Sequence, residues 1–271
     1  MKTNQILTND MLRRYAPSIF AERAYECMSN KYTFMPTIQV ADRLRTEGFQ
    51  PVALKTSRTS IEGKRDFVKH ELRFQDWRNG CAPVKSHLGQ LLAEVILTNS
   101  HDGSSAYTID AGLKRLVCMN GMTVSTGAGA GFRVRHIGGN TDDVIEAAYE
   151  VIESFPRTLE AAENFHGLML TAPQQLAYAD AALALRYDDA PPVTPEQLIQ
   201  PQRTADFAPT LWNTFNVVQE KLQNGGVRSQ ASRRRTRAVT GINESSRLNK
   251  ALWTLTEKMA SLVSNNSLVT A

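Results

Sequence analysis

Hydrophobic and polar positions change period twice along the chain. From Thr37 to Glu47, Ile38, Val40, Ala41 and Leu44 share one helical face and Asp42, Arg43 and Arg45 the other, and Gly48 ends the run. Residues 1–30 read as an earlier helix, capped by Asn9 or Asp10, with Leu12, Tyr15, Ile19 and Phe20 near helical spacing. From Phe49 to Ile137 the period shortens to two. Val68, His70, Leu72 and Phe74 alternate with Lys69, Glu71 and Arg73, so the two sets face opposite sides of a strand. Strands are predicted at Phe49–Ser57, Val68–Phe74, Leu91–Thr98, Ser105–Leu113, Leu116–Ser125 and Phe132–Ile137, and their short links favour an antiparallel meander. Helical spacing returns at Thr141, where Asp142 and Asp143 suit a positive first turn and Val144, Ala147, Ala148, Val151 and Ile152 make a buried stripe. Further helices are predicted over Leu159–Leu170, Pro173–Leu185, Ala208–Leu222 and Asn249–Leu262, with a break at Ala190–Pro195.

The pattern predicts an α+β fold: a largely antiparallel β-meander sheet flanked by an N-terminal helix and a C-terminal helical region. Residues 1–190 form the expected core domain, and residues 191–271 a helical region with a basic, arginine-rich segment. With 42% hydrophobic and 21% charged residues among 271, a globular core is expected. No apolar run reaches the roughly 18 residues of a membrane helix. The first ten residues lack the apolar middle of a secretory signal, so a cytoplasmic location is expected.

Metal and cofactor chemistry find little footing. Cys27, Cys81 and Cys118 are far apart and form no C-x-x-C pair. His70, His87, His101, His136 and His166 show no zinc spacing, although strand order can bring His70, His101 and His136 together. Gly127–Gly131 lacks the lysine of a phosphate loop and leads into a strand. No metal, cofactor or catalytic residue is assigned.

Charge changes the picture more. The net charge is only +4, with a pI near 9.0. Yet Gly138–Ala190 carries ten acids and two bases, whereas Arg228–Arg237 carries five arginines and no acid. Arg228, Arg233, Arg234, Arg235 and Arg237 stand among small hydroxyl residues, a composition that favours mobility and suits phosphate contacts. Lys69, Arg73, Arg115, Arg133 and Arg135 add basic positions on the strands, candidates for a nucleic-acid groove. Phe67, Phe74, Trp77, Tyr107 and Phe132 lie near enough in sequence to stack on unpaired bases; core packing is the alternative for each.

The densest polar cluster is Asn99-Ser100-His101-Asp102-Gly103, with Asn120-Gly121 beyond the next strand. Adjacent residues on an extended chain point to opposite faces, so Ser100, His101 and Asp102 cannot form a catalytic triad by themselves. A hydrogen-bonded turn, a loop gripping phosphate or sugar, and an acid–base pair of His101 and Asp102 remain open. Asn99, His101, Asp102 and Asn120 are the motif-loop candidates.

Gly48–Pro51, Lys69–Phe74, Thr98–Tyr107 and Gly112–Met122 together resemble the plasmid- and phage-borne family catalogued as a domain of unknown function, number 932. The resemblance covers roughly residues 15–262 and implies a mobile-element setting. At the level of fold, a strand meander followed by a helix on a basic protein is similar to the core of single-strand annealing proteins of the Rad and Red-beta type. That similarity implies an oligomer holding single-stranded DNA in a basic groove. The expected function is therefore that of a non-enzymatic, homo-oligomeric protein that binds single-stranded DNA, with annealing as the further expectation. The alternatives are a metal- or His/Asp-dependent enzyme acting on nucleic acid, and a mobile-element factor that binds a host protein through the acidic stretch Thr141–Asp189.

Overall fold

In a computed structural model, the structure describes residues 5–26, 28–29, 32–78, 84–86, 88–116, 120–124, 132–134, 141–230, 232 and 234–269. The contact pattern divides them into two units, Met1–Phe155 and Pro156–Ala271. This boundary falls earlier than the one expected after residue 190. The reason is packing: the helices after Pro156 associate with the C-terminal helices.

The first unit begins with helix α1 (Asn9–Tyr15), capped by Thr8, whose hydroxyl accepts from the Met11 amide at 3.3 Å. The long N-terminal helix expected from periodicity stops here, because Pro17 removes an amide donor and starts a 3-10 turn, Pro17–Phe20. Helix α2 (Thr37–Thr46) matches its predicted span and buries Val40, Ala41 and Leu44. Gly48 follows at φ 90°, a conformation that glycine adopts freely.

Seven strands follow among the described residues: β1 (Phe49–Thr56), β2 (His70–Asp76), β3 (Val84–Ser86), β4 (Gly89–Asn99), β5 (Tyr107–Arg115), β6 (Asn120–Thr123) and β7 (Phe132–Val134). They form one antiparallel sheet in the order β1-β2-β4-β5-β6. β3 folds back on β4, and β7 pairs with the start of β5 while β6 pairs with its end. The α+β meander is thus present. Helix α3 (Thr141–Glu153) packs on β4 and β5, and α2 packs on β1. Leu72, Phe74, Val95, Leu97, Ile109 and Leu113 are buried on the apolar side of the sheet.

The opposite side is polar but not open to water. Glu71, Arg73, Gln75, Glu94, Asp110 and Lys114 are all buried. A Cβ on Gly121 of β6 would meet Nη1 of Arg73, on β2, at 2.8 Å. In a flat sheet three strand spacings separate these residues by roughly 14 Å, further than an arginine reaches. The sheet therefore curls with its polar face concave, as strand twist favours.

The second unit contains α4 (Phe155–Gly167), α5 (Ala172–Ala184), α6 (Pro195–Ile199), α7 (Leu211–Asn224) and α8 (Ile242–Val269). α7 is buried almost all round, between α5, α6 and α8. Trp253 of α8 stacks edge-on against Phe165 and Phe215. Polar residues that would be costly here are paired: Gln219 donates to Asn249 at 2.8 Å, and the Tyr178 and Thr256 hydroxyls lie 2.8 Å apart.

Candidate functional site

The basic positions predicted on the strands do not line an open groove. Arg73 is 6% exposed, Lys69 7% and Arg115 4%. The Arg73 guanidinium pairs at 3.0 Å with both Glu71 and Glu94, which raises its pKa further against the cost of burial. Gln75 donates to Glu94 at 3.1 Å. Gly121 and Gly112 leave room for this cluster, since a Cβ on Gly112 would meet Ile96 at 2.9 Å and Glu94 at 3.0 Å. Arg73 is thus a neutralised interior charge, and Lys69 and Arg115 are buried as it is rather than open to solvent. Alternation places Lys69 and Arg73 on a polar face that curling of the sheet buries, whereas Arg115 stands in register with Leu91 on the apolar face. Arg133 lies in β7 opposite Thr108. Arg135 falls outside the described residues, as do His87, His136, the three cysteines and the Gly127–Gly131 turn.

The motif loop folds inward. Asn99, Ser100 and His101 are 0% exposed. They meet His70 of β2, Ser18 of the 3-10 turn and Thr37, the first residue of α2. The Thr37 hydroxyl is the hub, 2.8 Å from His70 Nε2, 3.0 Å from Asn99 Nδ2 and 3.3 Å from His101 Nε2. His70 Nδ1 lies 3.1 Å from the Val68 carbonyl and 2.9 Å from Ser18 Oγ. A carbonyl only accepts, so Nδ1 carries the proton and Nε2 accepts from Thr37. The Thr37 oxygen then accepts from Asn99 and His101. Burial pushes the His70 pKa down to about 4, keeping the ring neutral.

Of the conjectured histidine trio, His70 and His101 do converge, with ring centres 5.5 Å apart. They share a hydroxyl, and no group of three or more metal-ligating side chains occurs among the described residues. Asp102 faces Ser104 and Lys64, and its charge also reaches His70 through space. It accepts from the Ser104 amide at 3.0 Å and pairs with Lys64 at 3.1 Å, and these hydrogen bonds outweigh burial to hold its pKa low. The loop is a hydrogen-bonded turn, closed by Asp102 on the Ser104 amide and by Ser100 Oγ, which accepts from the Ser105 amide at 2.8 Å. Asn120 opens β6, opposite Arg115. Thr37 and Ser18 escape sequence reasoning because each is a lone hydroxyl far from the motif along the chain.

The arginine-rich segment is where exposed positive charge gathers. Composition favours mobility, but the backbone forms a small hairpin between α7 and α8. Gly226 donates to Thr236 at 2.9 Å, Thr236 to Val227 at 2.8 Å and Ser229 to Arg234 at 2.7 Å, with Arg228 facing Arg235. Arg186 of the α5 C-terminal turn donates to the Leu222 and Arg237 carbonyls and ties down the base. The Gln230 amide bonds the Pro192 carbonyl at 3.0 Å. Arg228, Arg234, Arg235 and Arg237 are exposed, and none pairs with a carboxylate among the described residues. Arg233 lies outside the described residues.

These elements add up to an α+β protein with a curled antiparallel sheet, a buried histidine–threonine lock and a basic hairpin on a helical unit. The chain belongs to the family described as "Domain of unknown function (DUF932)", whose model matches residues 24–253. It is 39% identical over 263 residues to "UPF0380 protein YafZ" of Escherichia coli (strain K12), covering 96% of this chain and 93% of that protein. It is 38% identical over the same length and shares to "UPF0380 protein YfjQ" of the same organism. No solved structure matches the chain. Among the described residues, no helix is long and apolar enough to cross a membrane.

Proposed function

We propose that this protein binds nucleic acid through the phosphate backbone, using the hairpin arginines Arg228, Arg234, Arg235 and Arg237. The observation that carries this reading is the set of exposed guanidinium groups, unneutralised by carboxylates, on a hairpin that fixes their spacing. Guanidinium forks match phosphate oxygens bidentately, and their planes also stack on bases. Single-stranded DNA is the expected form, because an unpaired strand offers both kinds of partner at once. A mobile-element setting, implied by the family resemblance, would suit such an activity. With Lys69, Arg73 and Arg115 buried, the reading rests on the hairpin rather than on the sheet. Annealing by an oligomer therefore has to be tested on its own.

The test is fluorescence anisotropy of a labelled single strand over a salt series, with duplex DNA and single-stranded RNA in parallel. An arginine that neutralises one phosphate adds about 1 to the salt slope. Arg234→Ala/Arg235→Ala is expected to lower that slope by about 2 and leave the melting temperature unchanged. Salt-insensitive binding, or none at low salt, overturns the reading. Mixing complementary labelled strands in the same series checks annealing.

A further inference from the structure

A cleft of about 470 Å³ opens in the first unit, between the 3-10 turn with the residues after it and the loop joining β1 to β2. Its size is that of a small-molecule site. Phe20 and Phe67 supply apolar walls, Arg13 and Arg23 positive charge, Glu22 and Asp66 negative charge. The Arg13 guanidinium stacks 4.0 Å from the centre of the Phe20 ring, and that of Arg23 lies 5.8 Å from the Phe67 ring. Stacking holds a guanidinium by its face and leaves its N–H edge available.

Arg13, Glu22 and Asp66 enter no ion pair among the described residues, although both signs share one cleft. Among the described residues Arg23 makes one exposed ion pair, 3.5 Å from Glu26. Opposite charges held apart beside aromatic walls suit a flat ligand that carries both an anion and N–H donors.

The buried lock fixes the cleft's geometry. Ser18, behind one wall, bonds His70 at 2.9 Å. Phe67, in the other wall, accepts the His101 amide through its carbonyl at 2.9 Å, and its ring lies 5.3 Å from that of Tyr25. The Tyr25 amide donates in turn to the His101 carbonyl at 2.9 Å. Both walls therefore hang on the two motif histidines.

We propose that this cleft binds one nucleotide whose base carries an exocyclic amine. The phosphate sits on Arg13 and Arg23, the base lies against Phe67, and Asp66 or Glu22 accepts from the amine. A carboxylate accepts from the cytosine amine and finds only a carbonyl oxygen at the same place in uracil. The inference deepens the nucleic-acid reading and rests on it for a strand as the source of the nucleotide.

The test measures affinities of the full chain for oligo-dC and oligo-dU octamers by anisotropy, and for dCMP and dUMP by calorimetry. Cytosine is expected to bind about fivefold or more tightly than uracil. Glu22→Gln/Asp66→Asn brings that ratio towards one, and Arg13→Ala/Arg23→Ala weakens both bases. All four side chains are exposed, so these variants are expected to fold. Discrimination with dCMP alone assigns the cleft to free nucleotides; discrimination only within an octamer assigns it to an unpaired strand. Equal affinity for the two bases, or a ratio that the carboxylate variants leave unchanged, overturns the proposal. Arg234→Ala/Arg235→Ala separates the two readings. Lower octamer affinity with a ratio of one leaves the hairpin standing and removes the cleft; unchanged octamer affinity with a preserved ratio does the reverse.

Discussion

At Thr37 one hydroxyl serves three side chains drawn from β2, β4 and the motif loop. Thr37→Val keeps the shape and removes the hub, leaving His70 Nε2 and Asn99 Nδ2 buried without it. Unsatisfied groups of this kind cost about 1–3 kcal/mol each, so urea unfolding is expected to show a loss of about 2–6 kcal/mol. His70 also sets a pH dependence. Its pKa of about 4 in the folded chain lies below the ordinary 6.5, so below pH 6.5 the unfolded chain binds the extra proton. Stability is full above that pH and falls as pH drops from 6.5 towards 4, by about 3 kcal/mol. Melting curves across that window check it, and His70→Gln is expected to flatten the profile. On the other side of the sheet, Arg73→Met leaves Glu71 and Glu94 as uncompensated buried carboxylates. The expected cost is about 3–5 kcal/mol, measured by the same unfolding experiment. The two histidines and Arg73 stand out in the sequence. Their partners do not, because Ser18, Thr37 and Glu94 join them only when distant segments meet.

Among the elements, α2 and the main strands are legible from period alone, because one buried face imposes its spacing on the residues that form it. β2 shows the limit of that logic. Its polar positions alternate as a solvated face would, yet they are buried, and period two carries no record of sheet curvature. Periodicity overextends the first helix because its apolar spacing continues past Pro17. The hairpin between α7 and α8 has no hydrophobic period at all. It is built from backbone bonds and from Gly225, whose φ is 66°. A Cβ there would meet the Thr236 carbonyl oxygen at 2.5 Å. Gly225→Ala is therefore expected to disrupt the hairpin and weaken single-strand binding while the helical circular dichroism signal remains. Unaltered binding by a folded variant would show that the arginines act without a fixed frame.

For the whole molecule, a net charge of +4 is too small to make binding a matter of bulk attraction. Where the charge sits is what matters. Arg43→Ala/Lys258→Ala removes two exposed bases elsewhere and reaches the same net charge, 4 − 2 = +2, as Arg234→Ala/Arg235→Ala. The hairpin pair is expected to lower the salt at which the protein leaves a single-stranded DNA column, and the control pair to leave it almost unchanged. Equal shifts would return the weight to net charge.

The class of fold, the order of helices and strands, the family and the place where arginines concentrate are all written in the chain. These are local properties: period, breakers and composition act within a few residues of one another. The interior position of Lys69 and Arg73, the closing of the motif loop on Thr37 and His70, and the shared cleft of Arg13 and Phe67 emerge only in three dimensions. Those outcomes depend on how far the sheet curls and on which distant segments it brings together, and no local pattern encodes either.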